Sequence, residues 1–270
     1  MNFQLTPVVK NLLLINVGLL AAEYLMVSDS SMFSSLFAQW FGLRYVLADS
    51  FRPWQFLTYM FIHAGLSHIF FNMLGLFFFG PLLERFWGSK RFLIFYLATG
   101  LGAGVLYSAI NFYETYSFEQ EVDAYVRDPN PDDFVKLVRD HEEIFYGVSD
   151  AAIESFARYP DNADLQVQTV RVANEALLRK ENLPMIGASG CVFGILAAFG
   201  LLFPNTKLFL LFPPIPVKAK YIVIFYGVTA LFGAIRDAPG DNVAHYAHLG
   251  GMVFGWLLVM LWGRDRNRFY

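Results

Sequence analysis

Six stretches of the chain are nearly free of charge and close to the length of a membrane-crossing helix: 8–26, 66–83, 92–111, 187–203, 219–235 and 244–262. A helix rises about 1.5 Å per residue, so about 20 apolar residues cross about 30 Å of hydrocarbon. In that medium backbone polar groups must be satisfied within the segment, which favours helix for runs of this length. The fourth run is short and rich in glycine. Lys10 and Glu23 sit near the ends of the first, where their heads can reach the interface. Only 16% of the residues are charged, against about 25% in soluble domains, and the deficit is uneven. Residues 112–184 hold 16 acidic and 7 basic side chains. The pattern predicts an all-α membrane protein in three parts: spans one to three with a first loop (1–111), an acidic, soluble helical insertion (112–184), and spans four to six with a tail (185–270).

Lys and Arg set orientation, because they concentrate on the cytoplasmic side. With the N-terminus inside, the inner segments hold Arg85, Lys90, Arg91, Lys207, Lys218, Lys220, Arg264, Arg266 and Arg268. The short outer ones hold Arg44, Arg52 and Arg236. Both termini are therefore expected in the cytoplasm, in a bacterial inner membrane. The start lacks a basic region and a cleavage site, so the first run reads as a retained helix. The aromatic-rich stretch 27–65 reads as a loop half-submerged at the interface. Within the insertion, Asp132 and Asp133 follow Pro131 at a helix start, and Asp161 to Lys180 has amphipathic spacing. Its partner is unknown. The single cysteine, Cys191, can form no internal disulfide.

Polar side chains are costly in hydrocarbon, so those inside the spans are functional candidates. Taken singly, a serine there more often bonds a backbone carbonyl, and a histidine more often serves structure. Span two carries His68 and Asn72, span four opens Gly187-Ala188-Ser189-Gly190, and span six carries His245 and His248. All three spans run from outside to inside, and His68, Asn72, Ser189 and His248 fall within the first two turns of each. One level in the outer third of the bilayer thus collects an alcohol, two imidazoles and an amide. A histidine can take the proton of a serine hydroxyl, and amide and imidazole N–H groups can stabilise the resulting oxyanion. No Asp or Glu lies in spans four or six, so a two-residue dyad is expected. Gly190 and Gly194, and Gly251 and Gly255, each four apart, let spans four and six approach closely. Ion-path chemistry would spread polar groups through the bilayer. A soluble α/β-hydrolase would need a strand before the serine and glycine at position 191. A metal site from His68, His245 and His248 lacks an acidic or thiolate ligand at usual spacing.

These residues resemble the rhomboid family of intramembrane serine proteases. Gly187-Ala188-Ser189-Gly190 is similar to its GxSG motif, and Ala247 to Gly255 to its AHxxGxxxG helix. His63, His68 and Asn72 match HxxxxHxxxN. Trp54 to Thr58 is similar to WRxxT, with Gln55 in place of arginine; Glu84, Gly88 and Pro204-Asn205 also fit. The likeness covers 52–111 and 187–263. It implies a six-transmembrane-helix rhomboid-like bundle with Ser189 as nucleophile and His248 as general base. It implies an oxyanion site from His68, Asn72 and the Ser189 backbone N–H, with His63 structural. The family's spacing to Gly251 and Gly255 implies His248, not His245, as the base. Phe193, one turn below Ser189, is expected to pack on the His248 ring. The implied partners are the lipid bilayer and transmembrane protein substrates cut near their outer ends, approaching past a mobile span five. No cofactor, metal or nucleic acid is implied. A catalytically silent rhomboid-like binder of membrane proteins is the rival reading. The insertion exceeds the family's usual third loop.

Overall fold

The computed structural model describes residues 4–26, 36–209, 215–236 and 244–262. The tail cations Arg264, Arg266 and Arg268 and part of the first loop lie outside them. Eleven α-helices run through the described residues: α1 (Pro7–Met26), α2 (Leu36–Phe41), α3 (Gln55–Thr58), α4 (Leu66–Trp87), α5 (Ser89–Arg127), α6 (Pro131–Asp140), α7 (Asp150–Arg158), α8 (Ala163–Asn182), α9 (Ser189–Leu202), α10 (Ala219–Arg236) and α11 (His245–Trp262). A short antiparallel hairpin, β1 (Lys207–Phe209) and β2 (Pro216–Lys218), joins α9 to α10. Sequence periodicity did not announce it.

Four of these helices are long and apolar enough to cross a membrane: α1, α4, α5 and α10. The protein is a membrane protein. α9 is apolar but has only 14 residues. α11 has 18 and carries two histidines in its first turn. α9 is the hub of the bundle: nine of its residues, from Gly190 to Phe199, are buried, and it packs against α4, α5, α10 and α11. α10 is its opposite, burying only Ala219, Ala230 and Ala234.

Helix and span part company in α5. Hydropathy falls after Asn111, yet the helix continues to Arg127, 39 residues in all and about 58 Å long at 1.5 Å per residue. Loss of apolar character does not by itself end a helix. Asn111 to Arg127 contains no Gly or Pro, and the stop comes at Asp128-Pro129-Asn130-Pro131. Asn130 then caps α6 by accepting the Asp133 N–H, with Pro131 at the first helical position. The helix foreseen at Asp161 to Lys180 is α8, capped by Asn162. Phe118, Val122 and Tyr125 of α5, Phe134, Leu137 and Val138 of α6, Phe156 of α7 and Ala173 and Ala176 of α8 form a second core, separate from that of the bundle.

One buried carboxylate joins three helices. Glu84, near the end of α4, accepts the N–H groups of Val8 and Val9 on its two oxygens, each at 3.0 Å, and the hydroxyl of Ser89 at 2.6 Å. It therefore caps the start of α1 and ties it to the α4–α5 corner, where a negative charge also suits the helix dipole. Glu84→Ala is expected to lower stability in detergent by about 1–3 kcal/mol, measured by thermal unfolding, because buried donors lose their acceptor.

Glu181, at the end of α8, is in a different position. Burial first, then the charges of Glu119 and Asp49, raise its pKa. The folded state thus holds this proton more tightly than the unfolded chain. The stability so gained is complete below the unfolded value and is lost as pH rises through the higher folded value. Glu181→Gln, which cannot ionise, is expected to melt above wild type at neutral pH and to converge on it in acid. An unchanged difference across a pH series would contradict the assignment.

Candidate active site

Two glycine contacts bring α9 and α11 together. A Cβ placed on Gly251 would lie 1.9 Å from the Gly190 carbonyl oxygen, and one on Gly255 would lie 2.7 Å from that of Gly194. Nothing larger than hydrogen fits at either place. Gly190 is equally tight on its other side, where its Cβ would meet Ala103 of α5 at 2.6 Å. Small residues on three helices therefore let three backbones converge beside Ser189, the first residue of α9.

The same contact sets the histidine. His248 lies in the first turn of α11, three residues before Gly251, and its ring stacks on Phe193 with centroids 4.1 Å apart and planes 9° from parallel. Residues four apart lie one above the other on a helix. Phe193 and Ser189 are such a pair, so the His248 imidazole sits over the turn that Ser189 opens. Tyr226 from α10 also meets Phe193, with ring centroids 6.0 Å apart and planes 83° from parallel. The expected Phe193 packing is present. Ser189 and His248 are both half-buried, accessible from outside the bundle core.

His245 points elsewhere. A Cβ on Gly233 of α10 would lie 2.3–2.6 Å from three atoms of its ring, so His245 packs on α10 while His248 faces α9. Local spacing leaves the two histidines equivalent; the rotation of α11 separates them. Among the described residues, no three His, Cys, Asp or Glu side chains gather as a metal ion would need.

The approach to Ser189 is non-helical and held from outside. Gly187 has φ +121°, a conformation in which side chains are strained, and Ala188 has a non-helical ψ of 1°. α9 therefore begins at Ser189, two residues later than hydropathy suggested. The Gly187 N–H donates to the Tyr59 carbonyl at 2.9 Å, and the Ala188 N–H to His63 Nε2 at 3.4 Å. His63 is thus a support for this segment. Above Gly187 lies His68, whose Nε2 would be 2.6 Å from a Cβ there; Asn72 Nδ2 would be 3.9 Å away. His68 Nδ1 accepts the Ala64 N–H at 3.3 Å. A neutral ring then carries its proton on Nε2, facing Gly187. The Asn72 amide gives one hydrogen to the His68 carbonyl at 3.0 Å and keeps another. The N–H groups of the first turn of α9 have no acceptor within the helix. Several donors therefore border the point where Ser189 begins.

Residues 50–131 and 167–265 match the rhomboid domain. The chain belongs to the rhomboid family. The match omits 132–166, a narrower stretch than the 112–184 set apart by charge. Among rhomboid relatives, the mitochondrial RHOMBOID-like protein 12 of Arabidopsis thaliana is 28% identical over 214 residues, covering 78% of this chain and 46% of that protein. The mitochondrial Rhomboid protein 1 of Saccharomyces cerevisiae is 34% identical over 89 residues, 32% of this chain and 25% of that one. The rhomboid protease GluP of Bacillus subtilis is 42% identical over 52 residues, 19% of this chain and 10% of that one. The chain spans less than half the length of each of these relatives.

Sequence reasoning overlooked Tyr59, which is fully buried, donates its hydroxyl to the Gly100 carbonyl at 2.7 Å and accepts the Gly187 N–H. A tyrosine in an apolar loop carries no local signal for that role. For the helix contact, Gly251→Ala is expected to cost about 1–3 kcal/mol in thermal unfolding, since backbone cannot yield to the new methyl. Gly227→Ala is the control: its Cβ meets only the flexible Met252 side chain at 3.2 Å, and the change should stay within about 0.5 kcal/mol.

Proposed function

We propose that this rhomboid is an intramembrane serine endopeptidase that cuts transmembrane proteins near their extracytoplasmic ends. The observation that carries the reading is the His248 ring stacked on Phe193, one turn from Ser189, at the tightest contact of α9 and α11. Ser189 Oγ attacks the scissile carbonyl as His248 takes its proton. His68 Nε2–H, Asn72 Nδ2–H and the Ser189 N–H stabilise the oxyanion. Collapse breaks the C–N bond, and His248 returns the proton to the departing amine. Water then attacks the acyl-serine by the same route and frees the acid. α9 and α11 contain no Asp or Glu, so aromatic packing does the orienting that a carboxylate performs in a triad. The presence of both Ser189 and His248 weighs against the silent-binder alternative.

The six-span arrangement belongs to this reading, with α9 and α11 joining α1, α4, α5 and α10. At 14 residues α9 is about 21 Å long, shorter than the hydrocarbon core, so its N-terminal serine lies below the membrane surface and water must enter a cleft to reach it. The exposed Trp40, Leu47, Trp54 and Leu57 support a first loop half-submerged at the interface. The second core of α5 to α8 is a soluble helical bundle on that same side. The relatives come from mitochondria and from a bacterium alike, so orientation is given by side: basic loops and both termini on one, insertion and site mouth on the other. α10, with so few buried residues, is the wall that moves for substrate.

The test is cleavage in liposomes of a panel of single-span proteins with Gly- or polar-rich outer ends. Fragments with new termini in the outer third of the span are expected from wild type, and at least about 100-fold less from Ser189→Ala and His248→Ala. Cleavage that persists in Ser189→Ala would overturn the reading.

A further inference from the structure

The segment between α8 and Ser189 is fastened to the first loop along most of its length. Asn182, the last residue of α8, accepts at Oδ1 from Arg44 Nη1 at 2.9 Å and from Ser50 Oγ at 2.5 Å; Arg44 Nη1 also reaches Ser50 Oγ at 2.9 Å. Met185 and Leu43 exchange both backbone hydrogen bonds, at 2.9 and 2.7 Å. Pro184 and Ile186 close over Gly42, where a Cβ would lie 2.7 and 2.9 Å from their side chains. The Tyr59 and His63 bonds to Gly187 and Ala188 complete the row. Gln55, which stands where the family motif has arginine, is fully buried and holds the loop from within: its amide donates to the Ser50 carbonyl, and its oxygen accepts the Arg52 N–H.

Arg44 is an odd choice for a simple fastener. It is 7% exposed, no carboxylate among the described residues pairs with it, and its Nε has no hydrogen-bond partner. A buried cation on neutral acceptors is costly, and an apolar contact could close a loop more cheaply. What the guanidinium adds is direction: one nitrogen spans a hydroxyl and an amide that belong to different parts of the chain. The insertion meets the bundle by two arms. One is the continuous helix α5, packed into the core through Gly100, Ala103 and Gly104. The other is α8, whose only route onward is the strap 183–188 to Ser189. Any shift of α8 against α5 would be passed to the serine unless the joint at Asn182 resists it.

We propose that Arg44 is a positioning residue for Ser189, clamping the end of α8 to the first loop so that the strap presents the serine at a fixed place. The effect on cleavage rests on the protease reading; the clamp itself does not. Arg44→Ala, Asn182→Ala, their double variant and Arg44→Lys are compared with wild type in detergent by amide hydrogen exchange and by the rate of fluorophosphonate labelling. Peptides covering 183–189 should exchange about tenfold faster in both alanine variants while peptides of α1 stay unchanged. Labelling should slow about tenfold, with kcat for a cleaved substrate falling and KM steady. The double variant should match the singles, because one joint is lost only once, and Arg44→Lys should recover part of both effects. Unchanged exchange in the strap, faster exchange everywhere, or additive losses would overturn the clamp. If wild type takes no label, the protease reading fails and exchange alone decides the clamp.

Discussion

The packing of α9 on α11 depends on two places where a backbone carbonyl meets a glycine with no room for a methyl, Gly190 against Gly251 and Gly194 against Gly255. Within a bilayer, apolar helices gain little from hiding apolar surface, since lipid is as apolar as they are. Close van der Waals contact must supply the adhesion, and that requires small residues at matched heights. The consequence reaches the chemistry. With the two axes this near, a ring on α11 can lie flat on a ring of α9, and the imidazole of His248 acquires a fixed orientation from Phe193.

A second constraint comes from outside the helices. α9 cannot extend upward past Ser189, because Gly187 holds a left-handed conformation and both it and Ala188 are bonded to the first loop. The helix therefore begins at the candidate nucleophile, where unpaired N–H groups and the positive end of the dipole coincide. His63, Tyr59 and Leu43 of the first loop define that starting point, and His68 and Asn72 of α4 stand over it. Loop and helix contribute different things: the loop places the backbone, and α4 supplies donors.

Much of this was legible in the residues, and the reasons differ by feature. Spacing four apart in Gly190, Gly194, Gly251 and Gly255 is a local property of helices, so it could be read directly. Charge density set the acidic stretch 112–184 apart, and Pro131 and the amphipathic spacing from Asp161 marked helices within it. Hydropathy, however, reports the medium and not the end of a helix, so the run of α5 past Asn111 to Arg127 was invisible to it. The choice of His248 over His245 came only from the resemblance, through the spacing to Gly251 and Gly255; the residues by themselves left both open. The Arg44–Asn182 joint links positions 138 residues apart, and no pattern in either stretch points to the other.

The most direct measurement is labelling of the purified protein with a fluorophosphonate, which reports an activated serine without needing a known substrate. The account predicts that wild type reacts, that Ser189→Ala and His248→Ala do not, and that His245→Ala, whose ring packs on α10, still does. Labelling that survives Ser189→Ala, or that is lost in His245→Ala and kept in His248→Ala, would contradict it.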